Sequence, residues 1–167
     1  MKIELEKWSE DNKSSLIRVC KVVDRRFLSN RSPYPYTESD ADWWLNKTKE
    51  EDGVKGIYRA VIVDGKIVGN ISVEKKTDVR MRDAEIGYML MPQESSKGIM
   101  TTAVEQICNI AFEELDIIRI TGLVYAPNSA SRKVLEKNGF TQEGNLKNAV
   151  CKDGQVYDLC VYGKCIG

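Results

Sequence analysis

The stretch that decides the fold runs from Ala84 to Val104 and reads AEIGYMLMPQESSKGIMTTAV. Its apolar first half indicates a buried strand, a short turn of small polar residues follows, and the apolar spacing from Met100 onward predicts a helix. A strand–turn–helix of this kind presents free main-chain N–H groups and the positive end of a helix dipole to an anion such as a phosphate. One carboxylate, Glu85, lies within the predicted strand. The stretch therefore predicts an anion cradle with a candidate base beside it.

The flanking sequence predicts a mixed α/β domain in which early helices precede a meander and a strand–helix–strand–helix unit follows. Asp64-Gly65 between two β-branched runs is a hairpin signal, and Thr37 before an acidic first turn is a helix N-cap signal. Predicted strands cover 3–7, 57–63, 66–74, 83–91, 117–125, 140–150 and 155–162, and predicted helices cover 11–23, 37–45, 100–115 and 128–138. No linker, repeat or low-complexity segment divides the chain, so we expect one domain over residues 1–167.

Bulk composition excludes several classes of protein. Lys plus Arg and Asp plus Glu both total 25, so the chain lacks the basic surface typical of nucleic-acid binders. No apolar run approaches the ~20 residues of a membrane helix, and residues 1–8 have no signal-peptide core. A hydrophobic fraction of 42% suits a globular protein, and we expect a cytoplasmic location.

The cysteine and histidine content limits which kinds of catalytic and metal site the chain can form. The five cysteines are scattered and form no Cys-x-x-Cys pair, which predicts reduced, mostly buried thiols. Histidine is absent, which excludes Ser-His and Cys-His nucleophiles and argues against a zinc site. We expect no metal, and we expect the general acid and base to be carboxylates, tyrosines, lysines, thiols or water.

Several segments, in this order and spacing, resemble the GNAT (Gcn5-related) N-acetyltransferases over nearly the whole chain, and the RimJ/RimL branch in particular. The segments are AEIGY from Ala84, KGIMT from Lys97, AFEEL from Ala111, NSASRKVLEKNGF from Asn128, EGNL from Glu143 and YDL from Tyr157. The resemblance implies a central, mostly antiparallel twisted sheet of about seven strands flanked by about four helices. It also implies direct transfer of an acetyl group from acetyl-CoA to a primary amine.

The resemblance implies the following binding roles toward acetyl-CoA. The pyrophosphate is assigned to Ser96, Lys97, Gly98, Ile99, Met100 and Thr101, and the pantetheine arm to Met89, Leu90, Met91, Asn128 and Ser131. The family loop usually follows Gln/Arg-x-x-Gly-x-Gly/Ala, whereas this chain has SSKGIM and keeps only the central Gly98. Because main-chain N–H groups hold phosphates, the changed side chains need not abolish binding.

Glu85 is the candidate general base, acting through a water. Some GNAT histone acetyltransferases have a glutamate base in an Ala-Glu-Ile strand at the same spacing from the loop, so the resemblance implies this role. Burying an unpaired carboxylate in mid-strand is costly, which also suggests a purpose. Two alternatives remain: Glu85 faces solvent and pairs with Lys or Arg, or Asp83 is the inward carboxylate.

Ser131 is the candidate partner of the departing thiolate. Many GNATs place a tyrosine in the helix after the Asn motif, but that position is Leu135 here. The RimL-like branch has a serine at the position of Ser131, which can hydrogen-bond the sulfur; a serine this close to the Asn128 N-cap is also ordinary helix-start chemistry. Tyr125 is the reserve donor.

The acceptor is a primary amine of undetermined identity. A protein N-terminus, as in ribosomal-protein acetylation, and a small molecule such as a polyamine, amino acid or antibiotic both fit. Tyr34, Trp43 and Tyr157 are candidate acceptor-pocket residues, with ordinary core packing as the alternative. A non-catalytic acyl-CoA-binding relative is the rival function, and a nucleotide-binding protein is disfavoured because its glycine-rich loops are absent. Homodimerisation is common in this branch, and the sequence does not decide it.

Overall fold

The computed structural model describes all residues from 1 to 167. Its strands are β1 (Ile3–Glu6), β2 (Gly56–Val63), β3 (Lys66–Lys75), β4 (Asp83–Leu90), β5 (Arg119–Tyr125), β6 (Thr141–Lys152) and β7 (Gln155–Cys165). Its α-helices are α1 (Lys13–Val22), α2 (Glu38–Glu51), α3 (Ile99–Glu114) and α4 (Ser129–Lys137). The predicted order of elements is confirmed, with boundaries shifted by a few residues.

The seven strands form one sheet in the order β1-β2-β3-β4-β5-β7-β6. Every neighbouring pair is antiparallel except β4 and β5, which run parallel. The predicted mixed α/β fold with a mostly antiparallel sheet is therefore confirmed. No helix of the structure is both long enough and apolar enough to cross a bilayer.

Helices cover both faces of the sheet. On one face, Cys20 of α1 contacts Met89 of β4 (Sγ to Sδ, 4.0 Å). On the other face, Tyr88 of β4 contacts Ser131 of α4 (Oη to Oγ, 2.7 Å). Successive strand residues point to opposite faces, so α1 and α4 lie on opposite sides of β4. Because α2 contacts α1 and α3 contacts α4, the helices form an α1/α2 layer and an α3/α4 layer.

Local sequence explains why the elements begin and end where they do. The side chain of Thr37 accepts the Asp40 N–H at the start of α2, while Asp40 accepts the Thr37 N–H, which completes a capping box. The hairpin between β2 and β3 turns at Asp64 and Gly65, which both have positive φ. Gly139, also at positive φ (81°), ends α4.

Candidate active site

The parallel strands β4 and β5 separate partway along their length. They pair over Asp83–Ile86 and Arg119–Gly122, and the ladder ends there. Beyond that point β4 pairs only with β3, and β5 pairs only with β7. The remaining lengths of the two strands border a gap in the middle of the sheet, called here the β4–β5 gap.

The main chain of β4 supplies polar groups to the β4–β5 gap. Asp83 accepts a hydrogen bond from the Lys76 N–H and Met91 donates one to the Val68 carbonyl, so the odd-numbered residues turn toward β3. By the alternation of strand hydrogen bonds, Tyr88 and Leu90 direct their N–H and C=O groups into the gap.

This geometry bears on the pantetheine prediction for Met89, Leu90 and Met91. The Leu90 main chain faces the β4–β5 gap, whereas the main chains of Met89 and Met91 are turned toward β3, and the Met91 N–H is already bonded to Val68 (2.9 Å). The Met89 side chain lies on the α1/α2 face beside Cys20. Binding of the arm by these residues stays a prediction.

Six consecutive main-chain N–H groups, from Ser96 to Thr101, donate to no other group of the chain. The donors on either side are occupied: the Ser95 N–H bonds the Pro92 carbonyl, and the Thr102 N–H bonds the Gly98 carbonyl. This loop and first turn of α3 are where the sequence predicted an anion cradle. Free N–H groups at a helix start fit a pyrophosphate.

The conformation of this loop depends on left-handed residues and buried side chains. Ser96 (φ 63°) and Gly98 (φ 79°) are both left-handed, and Gly98 is the N-cap of α3. A side chain at 98 would be strained at this φ. Ile99 and Met100 are buried, and their side chains belong to the hydrophobic core. The half-exposed Lys97 ammonium lies 3.3 Å from the Glu94 carboxylate.

Glu85 lies on the α1/α2 face at the closed end of the β4–β5 gap. It is half-buried, and its carboxylate makes no hydrogen bond or ion pair within the chain. In the sheet register it stands between Glu74 of β3 and Thr121 of β5. The next residue on the same face is Gly87, and a Cβ added there would meet no atom within 4 Å. The space in front of Glu85 is therefore open.

Asp83, the alternative inward carboxylate, is fully engaged. Its oxygens lie 2.8 Å from Lys76 Nζ, 3.3 Å from Arg80 and 2.8 Å from the Thr121 hydroxyl, which donates to it. Burial raises the pKa of Asp83, but the hydrogen bonds from Lys76 and Thr121 and the charges of Lys76 and Arg119 outweigh it, so the pKa lies below its usual value. A carboxylate held by this many partners suits a structural ion pair.

Ser131 occupies the first turn of α4. The Asn128 side chain accepts the Ser131 N–H (3.3 Å), which is the predicted N-cap bond. The Ser131 hydroxyl lies 2.7 Å from the Tyr88 hydroxyl. Nothing in the local sequence of β4 indicates that the Tyr88 side chain contacts a helix residue 43 positions later, so Tyr88 was not among the predicted site residues.

Leu135 occupies the position at which many GNATs have a tyrosine, and it is a core residue here, 1% exposed. It packs on Gly122 of β5, where an added Cβ would lie 2.7 Å from Leu135 Cδ1. A polar side chain from this position of α4 is therefore absent from the β4–β5 gap.

Three aromatic rings form a cluster at the open end of the gap. Tyr125 and Tyr157 stack with centroids 6.0 Å apart, and Phe27 meets both edge-on at 6.2 and 6.1 Å. Burial raises the pKa of Tyr125. The structure thus joins one predicted acceptor residue, Tyr157, to the reserve donor Tyr125. Phe27, in the segment after α1, had no sequence signal that would have identified it.

The other two acceptor candidates do not share this cluster. Tyr34 is 78% exposed, with the Arg25 guanidinium 4.9 Å from its ring centroid. Trp43 is 63% exposed and lies under the Lys47 ammonium. Neither is a core residue, so ordinary core packing does not explain them.

Cysteine and acidic residues form no metal centre in the structure. No group of three or more cysteine, aspartate and glutamate side chains is placed to hold an ion. All five thiols are free; three are buried and two are exposed.

Comparison with protein families gives a match over residues 2–141 to the acetyltransferase (GNAT) domain. The putative ribosomal N-acetyltransferase YdaF of Bacillus subtilis (strain 168) is 35% identical over 109 residues, which is 65% of this chain and 59% of YdaF. The probable N-acetyltransferase YjcK of the same organism is 39% identical over 113 residues, which is 65% of this chain and 61% of YjcK. The matched region thus spans about three-fifths of each of these relatives.

Comparison with solved structures shows the same fold. The RimL ribosomal L7/L12 alpha-N-protein acetyltransferase, solved in complex with coenzyme A, superposes with a TM-score of 0.86 at 20% identity. The superposition covers 98% of this chain and 94% of RimL. Together with the domain match over most of its length, this shows that the chain belongs to the GNAT acetyltransferase family.

Proposed function

We propose that residues 1–167 act as one N-acetyltransferase domain, which transfers the acetyl group of acetyl-CoA directly to a primary amine. The observation that supports this proposal most strongly is the arrangement around the β4–β5 gap. The loop after β4 presents free N–H groups from Ser96 to Thr101, and the unpaired Glu85 lies at the closed end of the gap. An anion-holding loop and an available base are two of the parts that the reaction requires from the protein.

Glu85 takes the base role in this reaction. The amine nitrogen attacks the thioester carbonyl, the new C–N bond replaces the C–S bond, and the electron pair leaves on the sulfur. Glu85 accepts the proton that the nitrogen loses, through a water. Asp83 is unsuited to this step because Lys76, Arg80 and Thr121 already occupy its oxygens.

The acceptor side of the gap has open space, carboxylates and aromatic rings. Gly87 has no side chain to occupy the space in front of Glu85. The aromatic cluster of Phe27, Tyr125 and Tyr157 lies toward the open end of the gap. These features fit an amine carried on a group with apolar surface. A protein N-terminus suits the single carboxylate base, since an α-amine of pKa ~7.8 is roughly a quarter neutral near pH 7.4, compared with about a thousandth for a lysine side chain.

The names of two similar proteins support a protein N-terminus as the acceptor. YdaF is named as a putative ribosomal acetyltransferase, and RimL as an acetyltransferase of a ribosomal protein N-terminus. We propose an N-terminal amine first and a small-molecule amine second. The proposed setting is the cytoplasm, with no nucleic-acid or membrane partner.

The first experiment measures thermal stabilisation by acetyl-CoA, with CoA, NAD and ATP as controls. Ligand at a hundred times its Kd stabilises a folded protein by roughly 2.7 kcal/mol, so we expect a clear shift with acetyl-CoA and CoA and none with NAD or ATP. The second step follows CoA release in the presence of N-terminal peptides, polyamines and amino acids.

Each outcome is informative. Amine-dependent CoA release supports the enzyme. Binding without release from any amine supports the rival reading, a non-catalytic acyl-CoA-binding relative. No thermal shift at millimolar acetyl-CoA would mean that the SSKGIM loop does not hold the cofactor, and the proposal would be wrong.

A further inference from the structure

Tyr88 makes a contact that the family resemblance does not include. Its hydroxyl lies 2.7 Å from the Ser131 Oγ and 3.4 Å from the Ser131 carbonyl oxygen. It has no other polar partner in the chain. Tyr88 thus connects the open half of β4 to the first turn of α4.

Either hydroxyl can donate in this contact, and the arrangement that matters for catalysis is the one in which Tyr88 donates. Burial raises the pKa of Tyr88 to about 12, against a smaller opposing effect of the Ser131 hydrogen bond, so the phenol keeps its proton at working pH. The Ser131 N–H is bonded to the Asn128 side chain. When Tyr88 donates to the Ser131 Oγ, the hydroxyl proton of Ser131 remains free to point elsewhere.

The place toward which that proton can point is the β4–β5 gap. Tyr88 and Ser131 meet at the N-terminus of α4, where the helix dipole favours negative charge. The helix brings no tyrosine of its own to the gap, because Leu135 is buried against Gly122. Tyr88 of β4 is instead the tyrosine whose hydroxyl contacts Ser131.

We propose that Tyr88 is a positioning residue for the leaving thiolate, and that it directs the Ser131 hydroxyl at the sulfur. This inference rests on the proposed function. When the C–S bond breaks, the electron pair goes to the sulfur and Ser131 O–H donates a hydrogen bond to it. The phenol donates in turn to the Ser131 Oγ, and no proton leaves Tyr88. A chain of two hydroxyl donors is stronger than one because each bond polarises the next.

The test titrates the thiol of bound CoA, because this reports on the sulfur without requiring an amine. The ultraviolet absorbance of the thiolate is followed against pH in the wild type, Tyr88→Phe, Ser131→Ala and the double variant. We expect Tyr88→Phe to move the titration midpoint upward by about one pH unit, because Ser131 is then no longer held in place to donate to the thiolate. We expect the double variant to match Ser131→Ala, since Tyr88 acts only through Ser131.

Tyr162→Phe is the matched control. Tyr162 is a fully buried tyrosine whose hydroxyl also contacts α4, accepting from Arg132 at 3.1 Å, but it does not touch Ser131. We expect the thiol titration midpoint of Tyr162→Phe to equal that of the wild type. Melting temperatures will show that each variant is folded. Steady-state rates should show a roughly tenfold lower kcat for Tyr88→Phe with an unchanged KM for acetyl-CoA.

Three results would overturn the inference. The first is a thiol titration midpoint in Tyr88→Phe equal to that of the wild type. The second is a shift in the double variant equal to the sum of the shifts in Tyr88→Phe and Ser131→Ala. The third is a failure of CoA to bind, which would overturn the proposed function as well. If CoA binds and titrates as expected but no amine is acetylated, the proposed function alone is wrong.

Discussion

The two halves of β4 differ in what their polar groups contact. In the paired half, next to β5, Asp83 is held by Lys76, Arg80 and Thr121. Two residues later on the same face, Glu85 has no partner in the chain, and beyond it the main chain of Tyr88 and Leu90 faces the gap. Asp83 in the paired half is thus held by ion pairs, whereas the groups without partners begin at Glu85, at the closed end of the gap, and continue along the open half. One strand holds both kinds of group because β5 separates from it after Ile86.

The largest expected effect is on turnover, from Glu85→Gln at the closed end of the gap. Loss of the base should lower kcat/KM by about a hundredfold or more, since general-base catalysis contributes at least that much. Stabilisation by acetyl-CoA should be unchanged because Glu85 is remote from the free N–H groups of the loop. The measurement is amine-dependent CoA release, with Glu105→Gln on the exposed side of α3 as the control. Wild-type turnover in Glu85→Gln would remove Glu85 from the mechanism.

The next effect is on stability, from Asp83→Asn in the paired half. The change leaves Lys76 and Arg80 without their carboxylate, so the free energy of unfolding should fall by about 3 kcal/mol, as for other broken buried ion pairs. Urea unfolding of the variant and the wild type measures the difference. A loss of turnover with unchanged stability would reverse the roles assigned to the two carboxylates.

The same variant has a pH signature. Because its partners outweigh burial and hold the pKa of Asp83 below its ordinary value of 3.8, the carboxylate stabilises the fold fully above that value. The contribution is lost as pH falls through the lower pKa of the folded state. We therefore expect the stability difference between wild type and Asp83→Asn to be constant near neutral pH and to shrink only below about pH 4. A difference that begins to shrink near pH 7 would contradict this assignment.

The smallest of the three effects concerns the open space in front of Glu85. Gly87→Leu should raise the KM for the amine about tenfold by occupying the gap, while acetyl-CoA stabilisation stays. No atom lies within 4 Å of the new Cβ, and replacing a strand glycine should add about 0.5–1 kcal/mol to stability.

Gly144→Leu is the matched control for this change. It places the same side chain on the edge strand β6, where a Cβ also meets nothing within 4 Å. Its KM should equal that of the wild type. If Gly87→Leu also leaves the KM unchanged, the amine does not bind over Gly87.

Several features of the molecule were predictable from sequence because short-range rules specify them. The periodic spacing of apolar residues, the Thr37 capping box and the Asp64-Gly65 turn each depend on residues within a few positions of one another. The same holds for the loop after β4, whose six free N–H groups follow from the turn and helix start that the Ala84–Val104 stretch predicts. The choice between Asp83 and Glu85 did not follow, because both lie on the same face of the same strand.

Only the tertiary structure shows which of the two carboxylates has partners in the chain, and it does so through residues distant in sequence. Thr121, 38 positions from Asp83, occupies that carboxylate, and no residue of the chain occupies Glu85. Tyr88 and Ser131 meet across 43 positions, and Phe27 joins Tyr125 and Tyr157 from the far end of the chain. The sequence by itself determined the elements, the anion loop and the pair of candidate carboxylates. The place where β5 leaves β4, and with it the groups left free to react, depends on packing between elements that no local pattern records.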